Sequence, residues 1–201
     1  MKINYITIER EYGSGGSKIA RQLAEECGIP CYGREILESI SKEQNIPVDK
    51  LQEFEKNATA SLLYSLVIMS QNQPGDLHSN PGRICLDEQV TIQKLAEQGP
   101  AIFLGHCASK ALENKEGVLR VFIHADWEEK MKRIDSDYKL VGTDAEHAMK
   151  KADKKRANFY TANTTKKWTD IHNYDVVLDS SHFGIDQCVA FLKDMYEKGK
   201  D

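Results

Sequence analysis

Between positions 10 and 18 the chain reads Arg-Glu-Tyr-Gly-Ser-Gly-Gly-Ser-Lys, which crowds three glycines, two serines and two cations into nine residues. That mixture suits anion binding, because bare backbone N–H groups line a glycine-rich turn and hydroxyls add further donors. The residues before it, Ile3 to Ile8, form a short apolar strand. Those after it place Ile19, Leu23 and Cys27 on one helical face. The turn therefore leads into a helix N-terminus, whose dipole favours negative charge. Nucleotide phosphates are the commonest biological ligand of such a site. The alternative is a tight strand-to-helix turn without a ligand.

The stretch departs from the phosphate-loop pattern G-x-x-x-x-G-K-[ST]. If Gly15 takes the second glycine, Ser17 falls on the hydroxyl position, where a magnesium ligand is expected. Gly16 then stands in the lysine slot, and Arg10 replaces the first glycine. Lys18 comes two residues later, so on a helix it points about 200° away from that slot. Gly13, Ser14, Gly15, Gly16 and Ser17 form the expected phosphate cradle, and Arg10 or Lys18 supplies charge from another direction.

Elsewhere the chemistry-bearing residues are scattered. Five cysteines (Cys27, Cys31, Cys85, Cys107, Cys188) include no C-x-x-C pair and read as buried thiols of a reducing compartment. The six histidines show no ligand spacing, so a protein-ligated metal is not expected.

Strand and helix patterns alternate along the chain. Ile29–Tyr32 reads as a second strand, and the following helix carries Ile36, Leu37 and Ile40 on one face. Residues 47–98 read as helical, broken by a polar loop over residues 73–83. In that region Leu62, Leu63, Leu66, Val67 and Met69 mark a packed helix. Strands are expected at Pro100–Leu104, Val118–Ile123 and Tyr174–Leu178. A helix is expected over Trp127–Ile134, and another from a capping box at Thr143–Glu146 to about Tyr160. The last helix carries Ile185, Val189, Leu192 and Tyr196. This alternation implies an α/β fold with a mostly parallel sheet and helices on both faces. Ligands of such sheets bind beyond the strand C-terminal ends, here Arg10, Gly105-His106, His124 and Asp179-Ser180-Ser181.

A chain of 201 residues suits one domain with a full core, and 40% hydrophobic with 29% charged residues is ordinary for a globular protein. A formal charge of −4 argues against a general nucleic-acid surface. No apolar run reaches the ~20 residues that span a membrane, so a cytoplasmic location is expected. The oligomeric state is left open.

The start E-R-E-Y-G-S-G-G-S-K-I-A, the turn F-L-G-H-C-A-S-K, the helix A-D-K-K-R-A-N-F-Y and the closing Y-D-V-V-L-D-S-S resemble the cytidylate kinase-like family, relatives of the nucleoside monophosphate kinases. The resemblance covers nearly the whole chain. It implies a three-layer P-loop kinase fold of five parallel strands, with a helical acceptor-side insertion at about 47–98 and a lid at about 135–170 within one domain. It also implies ATP and Mg2+, the ion held through the nucleotide and Ser17. Arg133 and Arg156, with Lys18, are the expected catalytic cations; Arg156 stands in a D-x-x-R pattern with Asp153. Arg34, His106 and Ser109 are the expected acceptor-binding residues. Cytidylate kinases carry G-R-D after the third strand, where this chain has Gly105-His106-Cys107.

Phosphoryl transfer asks mainly for in-line positioning and neutralised charge, and Arg suits the second task because its planar fork binds two oxygens. The basic run from Lys150 to Arg156 equally fits a solvated face. Trp168 and Tyr160 could close over a base or pack the lid. Two function classes follow. One is an ATP-dependent kinase acting on a nucleoside monophosphate or similar small acceptor, cytidylate-like by default. The other is a nucleotide-binding sensor or interaction protein that has lost transfer, as the missing lysine would allow.

Overall fold

A computed structural model describes residues 2–60 and 83–199. The expected packed helix at Leu62–Met69 and most of the polar loop after it lie outside the described residues. The elements are β1 (Tyr5–Arg10), α1 (Gly16–Cys27), β2 (Cys31–Tyr32), α2 (Arg34–Gln44), α3 (Val48–Ala60) and α4 (Ile84–Ala96). They continue as β3 (Ala101–Leu104), α5 (Ala108–Ala111), β4 (Val118–His124), α6 (Trp127–Tyr138), α7 (Gly142–Thr164), β5 (Val176–Asp179) and α8 (Ser180–Lys198).

The five strands form one parallel sheet in the order β2-β3-β1-β4-β5, which puts β1 at its centre. Strand side chains alternate between faces, and two main cores follow. Ile6, Ile8, Ile102, Leu104, Val121 and Ile123 pack under Ile19 and Leu23 of α1 and Val189 and Leu192 of α8. On the other face Phe103 meets Ile36 and Ile40 of α2, Leu51 of α3 and Ile84 and Ile92 of α4. Phe122 packs there against Phe159, Tyr160 and Trp168. The apolar spacing of α1, α2 and α8 therefore does what the sequence pattern requires.

The register aligns the carboxyl ends. Ile8 pairs with Leu104, Arg10 with Ile123 and His124 with Asp179, so Arg10, Gly105 and the start of α8 share one edge of the sheet. One local expectation fails. α7 starts at Gly142, so Thr143 lies inside the first turn and Val141, with no polar side chain, holds the N-cap, while Glu146 pairs with Lys150. No helix among the described residues is long and apolar enough to cross a membrane.

Candidate functional site

The turn from β1 into α1 is an open anion cradle. Gly13 and Gly15 take φ of 80° and 76°, which L side chains rarely adopt. A Cβ at Gly13 would also stand 2.9 Å from the Lys130 carbonyl. Among the described residues the N–H groups of Gly13, Gly15 and Ser17 meet no protein acceptor, whereas those of Ser14 and Gly16 bond locally to Glu11 O (3.3 Å) and Ser14 Oγ (3.4 Å). A cavity of about 340 Å³ lies over the turn, lined by Arg10, Gly13, Gly15, Gly16, Ser17, Lys18 and Arg156 among others.

Arg10 explains the missing lysine. A Cβ on Gly16 would stand 2.5 Å from the Arg10 Cβ, so the slot is filled by the arginine stem. The guanidinium continues to Gly105, where a Cβ would lie 2.5 Å from Nη1. Its Nε is buried without a hydrogen-bond partner. Burial, then the charge of Arg156, lowers its pKa to about 10, so it stays cationic at neutral pH.

Arg156 reaches the same place from α7. Its Nη1 donates to the Arg10 carbonyl and to Asp153, both at 3.2 Å, and the guanidinium lies 5.7 Å from the Tyr12 ring centroid. Asp153 in turn accepts the Tyr12 N–H at 2.7 Å and ties α7 to the turn.

The other expected catalytic cations are placed differently. Arg133 directs Nη1 to Ser14 O and Ser180 Oγ, both 2.8 Å, Nη2 to Ser180 O at 3.0 Å, and Nε to Glu129. It braces the turn from behind, with both Nη1 donors and one Nη2 donor on protein acceptors. Lys18 sits at the cavity rim, paired with Asp137 at 2.8 Å on the protein surface.

A second cavity of about 390 Å³ adjoins the first and shares Arg10 and Arg156 with it. Arg34, Glu55, Gly105, His106, Lys155 and Tyr160 also line it. His106 and Cys107 both have positive φ, 54° and 51°, uncommon for residues other than glycine. The His106 Nδ1 lies 2.8 Å from Glu88 and 3.6 Å from Glu55, and Lys155 is 3.3 Å from Glu55. Burial pushes Glu88 up to about 8. Burial and then the Glu88 charge push Glu55 up to about 7. Burial holds His106 below its usual value, opposed by Glu55 and reinforced by Arg10. One ligand atom from each of these three residues lies within 4.8 Å of the others, close enough to hold a cation.

Arg34 stands at the rim, largely exposed and 3.5 Å from Glu38. Ser109 is not brought to this cavity. It lines another, of about 610 Å³, at the opposite strand ends, with Tyr160 between the two. The turn at His106 and Cys107 carries the chain away before Ser109. Trp168 packs edge-on against Phe122 and donates Nε1 to Glu9 at 3.1 Å, so it is a core residue.

Glu55 and Glu88 escape a search for spaced ligands. Their signal is positional: Glu88 follows Ile84 by four residues and precedes Ile92 by four, and Glu55 follows Leu51 by four. A carboxylate on an apolar helix stripe is either an error of pattern or a site.

No curated protein matches this chain. Among solved structures, an uncharacterized protein from Eubacterium ventriosum ATCC 27560 is 24% identical, with a TM-score of 0.73 over 98% of this chain and 99% of that one. Shikimate kinase from Bacteroides thetaiotaomicron is 14% identical, with a TM-score of 0.55 over 96% and 98%. A gluconokinase from Sinorhizobium meliloti 1021 is 16% identical, with a TM-score of 0.52 over 98% and 97%. The fold is thus that of the P-loop kinases. A family model described as the cytidylate kinase-like family matches residues 5–182, and with its glycine-rich turn, its parallel sheet and this match the chain belongs to that family.

Proposed function

We propose that this chain is an ATP-dependent kinase that transfers a phosphoryl group to a small acceptor, a nucleoside monophosphate or a compound of similar size, bound beside His106. One observation carries the reading: the cradle cavity and the His106 cavity meet at Arg10 and Arg156. Two cations at that junction suit a group passing from one cavity to the other, because its charge needs neutralising in transit. The chain fits a nucleotide's phosphates. Three turn N–H groups are open, and the Arg10 Nε is buried and unpartnered. Ser17 would hold magnesium through the nucleotide, and the ion when bound offsets phosphate charge. Gly13 to Ser17 would hold the donor phosphates.

A second reading, a nucleotide binder without transfer, is favoured by Gly16, whose surroundings leave no room for a lysine. Titration with Mg·ATP, run beside a turnover screen, tests both. Saturable binding that Arg10→Ala weakens, together with transfer to an acceptor, is the expected result. Binding without transfer to any acceptor would favour the second reading, and no saturable binding at millimolar ATP would sink both.

A further inference from the structure

The cavity beside the cradle contains a group that a phosphate acceptor would not need. His106 stands at the end of β3, held at Nδ1 by Glu88, whose side chain is 1% exposed, with Glu55 behind. Its other nitrogen, Nε2, meets no protein partner among the described residues, while the residue lines the cavity. Glu88 is ionised above about pH 8, and its carboxylate on Nδ1 then favours the tautomer with the proton there, which leaves Nε2 with a lone pair. The positive φ at two successive non-glycine residues and the burial of two carboxyls both cost stability. Such features gather where a side chain must be held in one orientation.

From this arrangement the geometry points to His106 as the general base of the transfer, with Glu88 as its positioning residue, and to an alcohol as the acceptor. The inference rests on the kinase reading and names its substrate class. A phosphate monoester is already largely ionised at neutral pH, since its second pKa is about 6. It has no proton to surrender. An alcohol keeps its proton until transfer, so a base in reach contributes to the rate.

In the step, the acceptor O–H gives its proton to Nε2 and the oxygen bonds to the terminal phosphorus of a nucleoside triphosphate. The bond from that phosphorus to its bridging oxygen breaks, its electron pair leaves with the diphosphate, and the imidazolium later returns the proton to water. Arg10 runs from Gly16 in the cradle to Gly105, next to His106, and so links the two partners. The 2.8 Å separation of Nδ1 and Glu88 is that of a hydrogen bond. Ligands on a tetrahedral zinc stand about 3.3 Å apart, and Lys155 already faces Glu55. A proton therefore suits this cluster better than a metal ion.

The charged and titratable groups facing the imidazole are Glu55 of α3, Glu88 of α4, Glu9 and Arg10 of β1 and Lys155 of α7, with Cys107 adjacent. Burial and the cations Arg10 and Lys155 keep it neutral, as a base must be.

The test is nitrogen NMR of the full-length protein labelled with 15N-histidine, with His106→Asn used to assign the signal. The expected spectrum at about pH 9, where Glu88 is ionised, shows a neutral ring protonated at Nδ1, with an Nε2–H fraction emerging in Glu88→Gln. An imidazolium or a predominant Nε2–H tautomer would overturn the proposal. Turnover is read with glycerol, gluconate and glucose against CMP, UMP and AMP. Transfer to an alcohol should fall ~10²–10⁴-fold in His106→Asn, a residue that tolerates positive φ, with ATP affinity kept within about twofold. Transfer to a nucleotide phosphate that survives His106→Asn overturns the proposal. A flat Mg·ATP titration with the expected tautomer present would instead defeat both nucleotide readings and leave the His106 geometry standing.

Discussion

A lysine at position 16 would need its Cβ only 2.5 Å from the Cβ of Arg10, an atom fixed by the backbone of β1. Gly16→Lys is therefore expected to lower stability by about 1–3 kcal/mol, the scale of overpacking, without tightening ATP. Urea denaturation and nucleotide titration read the two effects, and a gain in affinity at unchanged stability would mean that β1 yields to the new side chain. In the proposed kinase, Arg10 supplies the charge instead. Arg10→Ala should weaken ATP binding by about 1–3 kcal/mol, roughly 5- to 150-fold, as expected for a lost hydrogen bond to a charged group.

The elements around the site act through groups that each one could not hold alone. Glu55, Glu88 and His106 come from α3, α4 and the turn after β3, and the two raised carboxyls make stability depend on pH. The folded protein keeps protons that the unfolded chain has released, so its stability falls as pH rises from the ordinary carboxyl range toward about 8. His106, lowered by burial, works the opposite way as pH drops below its ordinary value near 6.5. The clean window is thus pH 6.5 to 8, where stability should fall by about 1–2 kcal/mol. Glu88→Gln should flatten that slope in denaturation curves taken across the window; an unchanged slope would place the titration elsewhere. Behind the cradle, α6 and α8 are joined to the turn by Arg133. Arg133→Ala should cost about 1–3 kcal/mol through its lost bonds to Ser14 O and Ser180 O, with Ser14 O still accepting from the Ser180 hydroxyl.

At the scale of the whole molecule, the sheet brings two cavities to one edge, and α7 reaches across to complete them. A ligand filling the cradle stabilises the entire fold by mass action. Mg·ATP at about 100 times its dissociation constant should raise the melting temperature by about 5–10 °C, and Arg10→Ala should reduce the shift at the same ATP concentration. Arg156 stands where charge would move between the cavities, so Arg156→Ala should lower turnover by ~10³-fold while changing ATP affinity far less. Equal, small losses in both would make it a packing residue over Tyr12.

The sequence by itself determined the α/β alternation, the five strands and the cradle, because glycines before an amphipathic helix and apolar runs of strand length act through neighbours in the chain. It also determined that residue 16 is not a lysine and that Arg10, His106 and Arg156 stand at or near strand ends. Only the tertiary structure decided what those residues face. Arg133 turned out to brace the loop, Ser109 to line the far cavity, and Trp168 to pack on Phe122, since these outcomes depend on helices meeting across the sheet. The same holds for Glu55 and Glu88, which are 51 and 18 residues from His106 in the chain. Spacing within one element has no means of encoding a contact made by three.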